Sequence, residues 1–180
     1  NVVTVLMEEN PKVLIQRRAT TLAIYPGAWA VAPVFGCQPV SRGQGMEFDL
    51  LVDLFREYLE EFFDFEEAIH RNQRRLSDDW FLDEGPVVRL RQNLDRGTAE
   101  FELLGFGFDA FNGELDLSCL LTLPGDIAER DLRSVSANWE YGSIERVGLF
   151  SDALSGRIAA GDFQPGSAFA LDLARQRLAP

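Results

Sequence analysis

Cysteine and histidine are nearly absent from this chain. The two cysteines, Cys37 and Cys119, lie far apart in no paired spacing, which excludes a disulfide framework and a cysteine-based zinc site. Two buried thiols in a reducing compartment are expected instead. A single histidine, His70, rules out a histidine-rich metal site, and a Ser-His-Asp triad would rest on it alone. No run of about 18 apolar residues occurs, and the N-terminus lacks a basic region followed by an apolar one. Neither a membrane span nor a signal peptide is therefore expected, and a cytoplasmic location follows as the default. Basic residues are outnumbered, 17 to 29, for a net charge of −12. Such a surface repels polyanions, so no direct nucleic-acid contact by this segment is expected. Metal ions or a local arginine cluster would still let it hold a phosphate ligand.

What is present is the material for a core. With 180 residues, 46% hydrophobic and 14 of them phenylalanine, the chain fits one globular domain. Val2 to Met7 and Lys12 to Gln16 read as a β-hairpin around Glu8–Pro11, closed by Arg17 and Arg18. Tyr25-Pro26-Gly27 marks a turn before an apolar strand over Trp29 to Phe35. Gly36 to Gly45 reads as a loop, and a helix follows from near Glu47 to near His70, with Asp49 as the alternative cap of a shorter one. Two short helices joined near Asp83 to Pro86 make a helical insertion at about 66–97. Thr98–Phe108 and Glu114–Leu123 form a second hairpin across Asn112-Gly113, with Leu115, Leu117, Cys119 and Leu121 on one face. A helix over Ile127–Val135 capped by Asp126, a strand over Ser143–Leu149, a helix over Ser151–Ala160 stopped by Gly161, and a C-terminal helix capped by Ser167 complete the order. The pattern indicates an α/β (α+β) sandwich with a mixed sheet packed between helices.

The helix after Gly45 carries the chemistry. At about 100° per residue, Asp53, Glu57, Glu60, Glu61 and Asp64 fall within an arc of about 100°, opposite Leu51, Leu54, Phe55, Tyr58, Leu59, Phe62 and Phe65. Like charges at these spacings repel, and two readings answer that. One is a solvated acidic face; the other is a divalent cation held by carboxylate oxygens. Arg56 can reach Glu60 and cover part of the repulsion. Arg17 and Arg18 read either as a solvated strand end or as phosphate contacts. Trp29 and Trp139 read as core packing or as stacking surfaces for a ligand, and Tyr25 is a further candidate contact.

Arg56-Glu57-Tyr58-Leu59-Glu60-Glu61, preceded by Gln16-Arg17-Arg18 and Tyr25-Pro26-Gly27-x-Trp29, resembles a Nudix domain. The resemblance implies a Nudix-like mixed sheet, and Glu57, Glu60 and Glu61 as ligands of magnesium or manganese, with Arg56 orienting them through a salt bridge. It also implies hydrolysis of the diphosphate of a nucleoside diphosphate linked to another moiety. The chain departs from the pattern at Phe48, where the family has a glutamate eight residues before the arginine, and at Phe63, where it has a glycine; the helix is expected to continue past Phe63. The double glycine is replaced by Phe35-Gly36-Cys37. Arg56 through Asp64, Asp79-Trp80-Phe81, Glu102–Gly113, Ala137–Glu140 and Pro165–Ala170 are similar to the C-terminal region of bacterial helix-turn-helix regulators of the Xre type. That likeness implies a sensor of a nucleotide-like small molecule, with a DNA-binding domain preceding Asn1. Paired strands with two apolar faces would also support a homodimer.

Overall fold

The structure, a computed structural model, describes residues 1–37, 40–42, 45–63, 65, 80–110, 113–132 and 141–179. Eight strands are present among them: β1 (Val2–Met7), β2 (Lys12–Arg18), β3 (Trp29–Val31), β4 (Val40–Arg42), β5 (Gly45–Glu47), β6 (Glu100–Asp109), β7 (Glu114–Pro124) and β8 (Tyr141–Gly148). The helices are α1 (Leu50–Phe63), α2 (Gly85–Asp95), α3 (Gly125–Asp131), α4 (Asp152–Ala159) and α5 (Pro165–Leu178), with a 3-10 turn over Trp80–Asp83.

Strand β2 organises the sheet. Lys12 and Val13 pair with both β1 and β8, and Ile15 to Arg17 pair with both β3 and β8. β8 therefore runs along one edge of β2, while β1 and β3 divide the other. β1 continues into β7 as the parallel pair of a mixed sheet, and β6 closes the order antiparallel to β7. Apolar alternation fixes which residues face which layer. Val2, Leu6 and Leu14 join Cys119, Leu121 and Leu123 beneath α1, α2 and α3. Val3, Val5, Val13, Ile15 and Leu120 meet Leu154 of α4 and Ala170, Leu171 and Ala174 of α5. The expected α+β sandwich is what the chain forms.

Several local expectations are corrected. The strand after Trp29 stops at Val31, and the stretch read as a loop holds the small β4–β5 hairpin. α1 begins at Leu50, where Asp49 Oδ1 accepts from the amides of Leu51 and Val52, so the shorter helix forms. It ends at Phe63, and Phe65 is not helical, so it does not continue as expected; His70 lies outside the described residues. α3 starts at Gly125 with no side-chain cap, so Asp126 sits inside the first turn. α5 starts at Pro165, whose ring suits the first helical position, and Ser167 is buried within the helix. Cys119 is buried, whereas Cys37 is exposed. Leu115 keeps the predicted face but lies 65% exposed on the outer part of the hairpin. Among the described residues, no helix is long and apolar enough to cross a membrane.

Candidate functional site

The acidic stripe of α1 does not point to water. Asp53 is 0% exposed and Glu61 2%, while Leu51, assigned to the core by periodicity, is exposed. Leu54, Tyr58, Leu59 and Phe62 fill the layer as expected, so α1 is wedged deeply enough to bury part of its charged side. The solvated-face reading is overturned for these two carboxylates.

Glu61 lies under β2. Its Oε2 accepts from Gln16 Nε2 at 2.9 Å and its Oε1 from the Val34 amide at 3.2 Å, and the Tyr141 hydroxyl, which donates to the Val34 carbonyl at 3.5 Å, lies beside it. Each element contributes for a reason of its own. Gln16 follows Leu14 at the two-residue strand spacing, so it faces α1. Val34 lies three residues past β3, and Tyr141 opens β8, paired with Arg18 at the end of β2. All three groups are neutral. Burial pushes the Glu61 carboxyl well above its ordinary range, Glu57 one turn earlier raises it further, and the hydrogen bonds from Gln16 and Val34, with the Tyr141 hydroxyl beside them, only partly oppose this. Gln16 is itself fully buried, and its Oε1 has no hydrogen-bond partner among the described residues.

Arg56 lies at the other end of the stripe. Its Nη2 is 3.1 Å from both Asp53 Oδ1 and Glu57 Oε1, and its Nε donates to Glu57 at 3.3 Å. Glu60 is half-buried beside them. The structure thus brings Arg56, Glu57 and Glu61 into one neighbourhood with Gln16 and Tyr141. Among the described residues, no three His, Cys, Asp or Glu side chains converge to hold a metal ion by themselves. The donors nevertheless fit a magnesium ion: it is typically bound through one or two carboxylates and completed by water and substrate phosphate oxygens. Glu57 and Glu61 would supply carboxylates, and Gln16 Oε1, without a partner among the described residues, could add a hard oxygen.

The remaining candidates divide between places. Arg18 follows Gln16 at the spacing that keeps a strand residue on the same face, and its buried Nε has no hydrogen-bond partner among the described residues. Arg17 and Trp29 pair across β2 and β3 on the opposite face, where the Arg17 guanidinium lies 6.0 Å and that of Arg157 4.4 Å from the Trp29 ring. Tyr25, at positive φ, donates to Asp109 Oδ2 at 2.7 Å, tying its loop to the end of β6. Trp139 lies outside the described residues. Asp53 and Gln16 were not singled out as site residues from the sequence. The signals were there: Gln16 sits at the two-residue spacing from Leu14, and Asp53 lies three residues before Arg56.

No protein-family model and no curated protein matches the chain. Solved structures do. A Nudix hydrolase from Alicyclobacillus acidocaldarius superposes over 96% of this chain and 87% of its own, with a TM-score of 0.52 at 15% identity. The fold is Nudix-like. A Nudix hydrolase from M. Smegmatis aligns over 99% of this chain and 83% of its own, at a TM-score of 0.37 and 11% identity, too distant to argue from. At these identities the likeness is one of architecture.

Proposed function

We propose that the chain is a divalent-metal-dependent hydrolase of the Nudix type, acting on the diphosphate of a nucleoside diphosphate linked to another moiety. The observation that carries this reading is Glu61: a fully buried acid whose hydrogen-bond donors, Gln16 and the Val34 amide, are neutral, with Glu57 one turn away and no cation paired to it among the described residues. Burial favours the protonated form of such an acid, and a bound cation would offset the cost of its charged form. The fold shared with a Nudix hydrolase across nearly the whole chain supports the same reading. Glu57 and Glu61 would hold magnesium or manganese, with Glu60 next to them on α1. When bound, the ion would neutralise phosphate charge and activate the attacking water. Gln16 and the Val34 amide fix the Glu61 carboxyl, Arg56 fixes Glu57, and Arg18 offers a guanidinium to an anionic ligand.

Phe48 favours a second reading. Its side chain is 73% exposed where the resemblance expects a glutamate, so one carboxylate of the pattern is missing. On that reading the domain binds a nucleotide-like molecule without fast turnover, as the sensor of a transcriptional regulator. Incubation with magnesium or manganese and a panel of nucleoside diphosphate sugars, ADP-ribose, dinucleoside polyphosphates and nucleoside triphosphates separates the two. Cleavage that is lost in Glu61→Gln supports the hydrolase. Ligand-induced stabilisation with no cleavage supports the sensor, because a ligand that binds only the folded state must stabilise it.

A further inference from the structure

Asp53 and Glu57 both hold Arg56. Its Nη2 is shared between Asp53 and Glu57 at equal distances of 3.1 Å, and the Asp53 side chain is fully buried in doing so. The spacing is that of the helix itself: Asp53, Glu57 and Glu61 follow one another at four-residue steps along one stripe. Gln16, buried and with one unmatched oxygen, stands at the Glu61 end of that stripe. A buried acid–arginine pair brings little net stability compared with apolar residues that would fill the same volume, so packing alone does not account for Asp53 at this position.

We propose that Asp53 is a positioning residue of the α1 site: it anchors Arg56 from one side so that Arg56 holds the Glu57 carboxylate in place next to Glu61. This rests on the divalent-cation reading above.

Binding of Mn2+ alone, followed by loss of the free-ion EPR signal, reads the site without substrate or turnover. Asp53→Asn is expected to weaken Mn2+ binding about 10-fold, within the range of residues that orient metal ligands. Asp53→Glu, which keeps the charge, is expected to restore most of the affinity. In an Arg56→Lys background Asp53→Asn is expected to add little further loss, because Asp53 acts through Arg56; a merely structural role would add its full effect. Undiminished affinity in Asp53→Asn, with affinity lost in Glu61→Gln, would overturn the positioning role and leave the cation site standing. Failure of the wild type to bind Mn2+ would overturn both. Should Asp53→Asn not fold, Arg56→Lys decides: wild-type affinity there overturns the proposal, and a loss supports it.

Discussion

Helices α1 and α5 are each 14 residues long and lie on opposite faces of one sheet, yet they bury different chemistry. α5 buries Ala170, Leu171 and Ala174, and approaches the sheet closely at Gly105, where a built Cβ would come within 3.1 Å of Leu173. Its one buried polar residue, Ser167, is fully engaged: the hydroxyl accepts from Gln164 and the Val31 amide and donates to Asn1. α1 buries a comparable apolar stripe, but also Asp53 and Glu61, and Glu61 has only neutral partners. The contrast separates a helix that holds the fold from one that buries acids the fold by itself does not need. Strain of this kind, kept where packing could remove it, is expected at a site that serves a ligand.

Substitutions on the two helices break or sharpen that contrast. On the proposed function the largest effect is at α1: Glu61→Gln is expected to lower metal-dependent cleavage by about 100- to 1,000-fold, because losing a metal ligand would remove several kcal/mol of charge stabilisation. On α5, Leu171→Ala costs about 2–5 kcal/mol of stability by opening a cavity, read from the denaturation midpoint, with Mn2+ affinity unchanged. Glu61→Gln also inverts the usual sign of a core polar substitution. Because the folded protein holds this proton above the ordinary value of 4.5, the unfolded chain releases it first, and wild-type stability falls as pH rises from there through the raised folded value. In metal-free buffer at neutral pH, Glu61→Gln should therefore melt higher than wild type, with the gap closing towards pH 4; an equal gap at both pH values contradicts this. The smallest effect is at the start of α1, where Asp49→Ala removes the acceptor for the Leu51 and Val52 amides and costs about 1 kcal/mol.

The sheet was legible in the sequence because alternation and turn chemistry are local: β1, β6 and β7 fall where Val2–Met7 and the runs flanking Asn112-Gly113 place them, and β2 extends the expected Lys12–Gln16 by Arg17 and Arg18. The acidic helix was legible in position, although the spacing pointed Arg56 at Glu60 and not at Glu57 and Asp53, which it holds. Its environment was not. Helical periodicity sends a charged stripe to solvent by default, and nothing in a 3.6-residue repeat reveals that Gln16, Val34 and Tyr141, from three distant segments, converge on Glu61. The same long-range placement sent Arg17 and Trp29 to the α4 side while Gln16 stayed with α1. The β4–β5 hairpin was hidden because glycine and proline around it read as loop.

The most direct test of the central claim, that the buried carboxylates of α1 are kept for a divalent cation, is the melting temperature of wild type and Glu61→Gln with and without saturating Mn2+. At about 100 times the dissociation constant, the ion should stabilise the wild type by about 2.7 kcal/mol, a rise of roughly 5–10 °C, and leave Glu61→Gln unmoved. No rise in the wild type, or the same rise in both proteins, would contradict it.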